Sequence, residues 1–494
     1  MKKSTIGMII ILIFVSFSQN VLAAPPDYNG GVNNEYNYEE IVFLSGEPIK
    51  FVGEYTVSDK ERGDSRSISY NFKLVPEDRT LEGSLSRRIN YKVVYTQDIN
   101  RGQTIAQTIL KGNPRESITI GNDKYNLEDL QFSKSDIIDN RPASDFYSGT
   151  LNGRKLYSIN KDEGTVHVDI SGGTTGYENF WGVTETQILD YTFQSQRYNS
   201  DDNQAKEWAG NVHVMVSDST GKKLQYADNE ASYSSFSGGH MRVTDQEMVS
   251  KYEYDLPEIQ DGTLDDDERN RGIAELSIKM LPRIERLIVP KFRDTDGHWA
   301  QDEINQLYSL DVFEGDTQFF IPDVPMTRIE FVRAVIKGCD IRVQEEKTTR
   351  TRQAEPESSA FQDIETSDPD YEFIKEAINK GVISGVAQGV FGPQQELTRA
   401  QAITILIRAL GFENRAPNPG YYTVFTDDMD IPYWSRDSIY VAREIGLIQG
   451  DNYNRVNAGT VMTRAEASAM LIGFLDFLQQ DLQQDYRENI ILYN

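Results

Sequence analysis

Thr327-Arg328-Ile329-Glu330, Thr398-Arg399-Ala400-Gln401 and Thr463-Arg464-Ala465-Glu466 are one four-residue phrase written three times in the second half of the chain. Each spells a capping box, in which the Thr hydroxyl accepts from the amide three residues on and the Glu or Gln side chain reaches back to the Thr amide. Each therefore opens a helix. The apolar spacing that follows (Phe331, Val332, Val335 and Ile336 in the first, Ile403, Ile405, Leu406 and Leu410 in the second) requires one face of that helix to be buried. An arginine one residue inside the helix start is the unexpected part, because the positive end of the helix dipole disfavours a cation there by about 0.3 kcal/mol or more. Two readings fit the repeated arginine equally well. In one, free helix amides and the guanidinium fork converge on a carboxylate or phosphate. In the other, Arg328, Arg399 and Arg464 pair with neighbouring repeat aspartates and stitch the units together.

Outward from these phrases the sequence repeats in three longer units. Each begins Phe-x-Asp, at Phe292 and Asp294, Phe361 and Asp363, and Phe425 and Asp427. The aspartate precedes the arginine by 34, 36 and 37 positions in turn. Residues 291–340, 361–412 and 425–475 bound the units, with linkers at 341–360 and 413–424 and a tail at 476–494. The first linker is dense in Glu, Lys, Thr, Arg and Ser and reads as solvated chain.

Phe-x-Asp, His298-Trp299, Gly-x-Ile-x-Gly, Phe-x-Pro and Thr-Arg-Ala-Glu in that order resemble the S-layer homology family, from Phe292 to Leu475. The resemblance implies a three-pronged helical spindle whose grooves bind secondary cell-wall polymer on peptidoglycan, often through a pyruvylated sugar. Carried over position by position, Arg328, Arg399 and Arg464 would contact the anion, while Thr327, Thr398 and Thr463 fix the helix starts. Trp299 and Trp434 would pack a sugar face or the groove wall, and Gly315, Gly385 and Gly450 would let the backbone approach. Asp294, Asp363 and Asp427 complete the implied set. The pattern also departs from the family: Asp311 stands for Gly and Ile329 for Ala in the first unit, and Tyr371 for Trp and Gln401 for Glu in the second. The third unit lacks Phe-x-Pro and offers Tyr453-Asn454-Arg455.

The first half has another texture. Residues 1–23 have the layout of a secretory signal, with Lys2 and Lys3, an apolar run from Ile6 to Phe17, and small residues near Val21-Leu22-Ala23 for cleavage after Ala23 or Ala24. A flexible stretch, 24–35, follows. Residues 36–260 read as strands of an antiparallel barrel or sandwich, either one meander or two subdomains meeting near residue 140. Alternation is clear in Ile68-Ser69-Tyr70-Asn71-Phe72-Lys73-Leu74, in Thr165 to Ile170 and in Asn211 to Val216. Leu151-Asn152-Gly153-Arg154 and Ser219-Thr220-Gly221-Lys222 signal turns. Over 261–290, Ile273, Leu276, Met280, Ile284, Leu287 and Ile288 recur at helical spacing behind an acidic start, which predicts a helical connector packed on the C-terminal module and broken at Pro282. The fold class expected is therefore α+β and multidomain, with a β-rich first half and a helical second half.

The chain has 494 residues, too many for one core, and 77 acidic against 50 basic side chains give a net charge of −27, which argues against a nucleic-acid partner. Cys339 is the single cysteine, so no intramolecular disulfide forms, which fits a Gram-positive surface protein stabilised by packing. After signal removal no segment is apolar enough to span a membrane. The first half contains no Gly-x-Ser-x-Gly, His-Glu-x-x-His or phosphate loop, and no cofactor or catalytic residue is assigned. Asp294-Thr295-Asp296-Gly297 begins like a calcium loop but has Asn305 where the bidentate Glu belongs, and His167, His213 and His240 lack a ligand spacing, so no metal is assigned either. The reading is a secreted, non-catalytic surface or S-layer-associated protein anchored through its repeats, with other surface-layer proteins as further partners. The alternative is an anchored hydrolase, or a carbohydrate-binding protein using Tyr177, Phe180, Trp181 and Trp208.

Overall fold

The computed structural model describes residues 37–98, 101–198, 205–227, 238–260, 263–279, 281–313, 318–341, 359–418 and 421–481. The signal segment, the stretch 24–35 and nearly all of the linker 341–360 lie outside the described residues.

In the first half, alternating burial turns sequence into sheet. Ile68, Tyr70, Phe72 and Leu74 are buried while Asn71 and Lys73 face water, and Val166, Val168 and Ile170 are buried while His167 and Asp169 are exposed. The strands are β1 (Asn37–Val42), β2 (Ile49–Arg62), β3 (Ser65–Pro76), β4 (Gly83–Asp98), β5 (Gln103–Leu110), β6 (Arg115–Ile120), β7 (Asp123–Asn140), β8 (Ser144–Ile159), β9 (Gly164–Asn179), β10 (Gly182–Tyr198), β11 (Ala205–Ala227), β12 (Gly239–Gln260), β13 (Thr263–Lys279) and β14 (Arg283–Arg286). They form one antiparallel sheet in sequence order from β1 to β13, with β6 bridging β4 and β7 and β14 lying on β12. The sheet curls until its beginning meets its end, where the Phe43 ring packs on Phe193, Tyr252 and Tyr254. Near residue 140 it continues unbroken, with β7 and β8 paired from Tyr125 and Ile159 to Asn140 and Asp145.

Three expectations fail here, and in each the sheet overrides a local signal. The segment expected as a helical connector is strand: β13 pairs with β12 from Glu247 and Lys279 onward. The same residues carry a second period, because Gly272, Ala274, Leu276 and Ile278 turn inward while Ile273 and Glu275 face out. Backbone groups along β12 need partners, and period two supplies a strand that satisfies them. The expected turns at Gly153 and Gly221 instead sit inside β8 and β11, opposite Ile170 and Gly182. Neither glycine has positive φ, whereas the true hairpin glycines Gly63 and Gly102 do, at 65° and 63°.

The helical half holds α1 (Gln301–Ser309), α2 (Arg328–Gly338), α3 (Tyr371–Asn379), α4 (Arg399–Leu410), α5 (Arg436–Glu444) and α6 (Arg464–Asp476). Pairing is cyclic: α2 packs on α3, α4 on α5, and α6 returns to α1. At the hub, the Met326 amide donates to Met462 O (3.0 Å), Met462 to Leu397 O (2.9 Å) and Leu397 to Met326 O (2.9 Å), a closed triangle of backbone hydrogen bonds. Ile403, Leu406, Ile407 and Leu410 of α4 are fully buried, each contributing about 1.5–3 kcal/mol. The expected tail does not begin at 476, since helical turns continue through Phe477–Asp481 and bury Leu478.

The two halves share a core. Trp181, in the turn between β9 and β10, is wholly buried against the helices and its Nε1–H donates to Gly338 O at 3.0 Å. The Ala143 amide donates to Ala409 O (2.9 Å), the Phe146 and Phe412 rings meet at 5.7 Å, and Asn179 Nδ2 donates to Leu478 O (3.4 Å). Gly338, Ala409 and Leu478 lie at the C-terminal ends of α2, α4 and α6, so the sheet docks on the end of the module away from the helix starts.

Candidate functional site: the helix starts and their grooves

All three capping boxes form, with Thr327, Thr398 and Thr463 as N-caps and Glu330, Gln401 and Glu466 reaching back. The helix amides beside them are not free. Arg328 N and Ile329 N donate to Gln395 O (2.9 Å) and Pro393 O (3.1 Å) of the next unit. Arg399 N and Ala400 N donate to Thr460 O and Ala458 O, both at 2.9 Å, and Arg464 N and Ala465 N donate to Val324 O and Pro322 O, again at 2.9 Å. These first amides are therefore not open to an anion, and the guanidinium groups are the cations left at the helix starts to meet one.

Nor do the arginines pair with the repeat aspartates. Asp294 accepts from the amides of Phe320 (2.9 Å) and Ile321 (2.6 Å), Asp363 from Phe391 (2.9 Å) and Gly392 (2.7 Å), and Asp427 from Val456 (2.9 Å) and Asn457 (2.8 Å). Burial pushes the Asp294 and Asp363 carboxyls up, and the amides each accepts more than offset it, leaving both below the usual carboxylate range. These aspartates clamp a loop. The clamp also corrects the alignment of the third unit, where Val456-Asn457-Ala458, not Tyr453-Asn454-Arg455, occupies the place of Phe320-Ile321-Pro322 and Phe391-Gly392-Pro393.

The three arginines differ. Arg328 is buried; it donates to Ser384 O (2.6 Å) and lies 5.0 Å from the Phe391 ring centre, and burial followed by the nearby Arg408 charge pushes its pKa down to about 10. Arg464 pairs with Glu330 Oε1 (2.9 Å) and lies 4.5 Å from the Phe320 ring centre. The Arg399 guanidinium has no hydrogen bond, ion pair or ring contact among the described residues, and it faces a cleft of about 290 Å³. Burial holds its pKa below the ordinary arginine value, partly offset by the charge of Glu466.

The other expected residues scatter. Gly450 lines the Arg399 cleft, where an added Cβ would meet Asn454 Oδ1 at 2.7 Å, and Gly385 is closed in by Val390 O at 2.6 Å. Gly315 lies outside the described residues. Trp299 and Trp434 are 62% and 50% exposed, each two residues ahead of its helix. The matching place before α3 belongs to Pro369, whereas Tyr371, expected to replace the Trp, is the buried first residue of α3. Tyr177 and Trp181 are fully buried in the joint and offer no sugar platform.

A family model of the S-layer homology domain matches residues 291–332 and 360–403. The exoglucanase XynX of Acetivibrio thermocellus is 30% identical over 189 residues, 37% of this chain and 16% of that protein. The cellulosome-anchoring protein of the same organism is 29% identical over 150 residues, 30% of this chain and 31% of the relative. The surface-layer 125 kDa protein of Lysinibacillus sphaericus is 22% identical over 172 residues, 34% of this chain and 13% of the relative. The chain spans less than a third of the length of each, and the relatives named as enzymes share only the S-layer homology region. Among the described residues no helix is long and apolar enough to cross a membrane. Residues 291–332 and 360–403 are thus matched to the S-layer homology domain, and the relatives that share this half include proteins named for cellulosome anchoring and for the surface layer.

Proposed function

We propose that this protein is held non-covalently on the cell wall by three S-layer homology repeats, 291–340, 361–412 and 425–475, forming a three-pronged spindle that binds secondary cell-wall polymer through a pyruvylated sugar. The β half, a curled antiparallel barrel or sandwich, is carried as a non-catalytic surface or S-layer-associated element. The carrying observation is Arg399, a half-buried guanidinium without a protein partner among the described residues, facing an open cleft. A guanidinium in that position favours a carboxylate, which it meets with two parallel hydrogen bonds. The third repeat lies beyond the matched residues, but its capping box, aspartate clamp and place in the hub triangle repeat those of the other two.

A non-catalytic β half is supported by how its interior carboxylates are used. Glu40 and Glu116 share Arg87 at 2.7 Å each, and Asp136 and Glu185 share Lys134 at 3.3 and 3.1 Å, all of them buried. Each of these carboxylates is held by a cation, including Glu40 and Glu116 where they line a cavity of about 90 Å³, an arrangement that disfavours the free acid and base of a glycosidase. The test is co-sedimentation of the full chain with purified walls before and after mild acid extraction of the secondary polymer. Binding lost on extraction is expected; equal binding to stripped walls refutes the proposal.

A further inference from the structure

The three grooves are built to one plan, so their differences carry information. In each, the arginine of one unit faces the residue whose amide is the first donor to the next unit's aspartate. Arg328 faces Phe391, Arg464 faces Phe320, and Arg399 faces Val456. In the first two grooves an aromatic ring lies under the guanidinium, a favourable cation–π contact. Phe391 and Phe320 thereby occupy the space beside Arg328 and Arg464, and each guanidinium also donates to a protein oxygen, Ser384 O or Glu330 Oε1. In the third, valine lacks the ring, and the cleft of about 290 Å³ opens where the ring would be.

We infer that the single exchange of Phe for Val456 makes the groove between the second and third repeats the one ligand-accepting groove of this chain, with Arg399 as its anion-contacting residue. The inference rests on the wall-polymer reading above and adds its stoichiometry and address. Arg455 lies in the same cleft but is tied to Asp451 at 2.8 Å, and Glu466, which also lines it, lends its charge to Arg399 without an ion pair or hydrogen bond, so Arg399 is the cation whose donors are open to a ligand. Gly450 lets the Asn454 backbone pack closely beneath the cleft wall, and the Asn457 side-chain amide donates to Asp451 at 3.1 Å, which fixes that wall. Absence of the family's Phe-x-Pro, which first marks the third repeat as degenerate, becomes the feature that creates the site.

Calorimetric titration of the full chain with acid-released wall-polymer fragments tests this. One fragment per chain is expected. Val456→Phe, which introduces the side chain its two counterparts already carry, should weaken binding at least tenfold, and Val456→Ala should leave it within about threefold. Arg399→Gln should give the same tenfold loss without added bulk, so the result stands even if Val456→Phe fails to fold by circular dichroism. A stoichiometry of two or three, or wild-type affinity in both Val456→Phe and Arg399→Gln, overturns the single-groove inference while leaving wall binding intact. No binding by the unaltered chain refutes the underlying reading instead.

Discussion

The helical half and the sheet half solve the same problem, satisfying backbone groups while burying apolar ones, at different distances along the chain. In the helical half the decisive interactions are local: Thr327 and Glu330 cap each other three residues apart, and the same happens at Thr398 and Thr463. In the sheet half, β11 satisfies β10 and β12 through long ladders whose partners no short window contains. Local rules are written into sequence and recur; ladders are settled by what else needs a partner. The joint at Trp181 is where this contrast ends, because one buried side chain belongs to both systems.

The largest expected effect is therefore at that joint. Trp181→Ala removes a wholly buried indole and orphans Gly338 O, for a loss of about 3–5 kcal/mol. If the halves depend on each other, the variant's thermal unfolding should split, or shift as a whole, in near-UV circular dichroism or calorimetry. An unchanged melting profile would show two independent halves and restore the contrast in full. Next comes Thr398→Ala, which removes one capping box and should cost about 1 kcal/mol, read by urea unfolding of the helical signal. A loss below a few tenths would mean that the contacts of Arg399 N and Ala400 N to the third repeat hold the helix start unaided.

Acid tests the aspartate clamps of the helical half. Asp294 and Asp363 have folded pKa values below the unfolded carboxyl value of about 4, so the stability they lend is complete above that pH and is lost as pH falls through their folded values. Helical unfolding midpoints should therefore drop on acidification below about pH 4, and Asp363→Asn should flatten that slope. A slope unchanged in the variant would remove the clamp from the account.

What was legible follows the same division. The three helix starts and the alternation in β3 and β9 could be read because each is a pattern within a dozen residues, and the repeats because the capping phrase recurs at each. The fate of the helix amides could not, since Gln395 O and Pro393 O reach Arg328 and Ile329 from another repeat. β13 could not, because its residues satisfy periods of both two and 3.6 and only β12 decides between them. Val456 was hidden for a subtler reason. Its equivalence to Phe320 and Phe391 rests on which amides Asp427 accepts, a relation across 29 positions. A search for amide donors to each repeat aspartate would have found it, and a search for the Phe-x-Pro string could not.

The smallest effect sharpens the comparison between repeats themselves. The second amide donor of each clamp has positive φ: 57° at Ile321, 71° at Gly392 and 54° at Asn457. Glycine and asparagine enter this region readily, whereas a β-branched side chain crowds the following carbonyl at a cost of about 1–2 kcal/mol. Ile321 is 54% exposed, so little packing opposes its removal, and any replacement but proline keeps the amide that Asp294 accepts. Ile321→Asn, which copies the third repeat, should thus stabilise the chain by about 0.5–1 kcal/mol, seen as a higher urea midpoint at unchanged slope. A lower midpoint would mean that the exposed Ile321 side chain makes contacts worth more than the strain it carries.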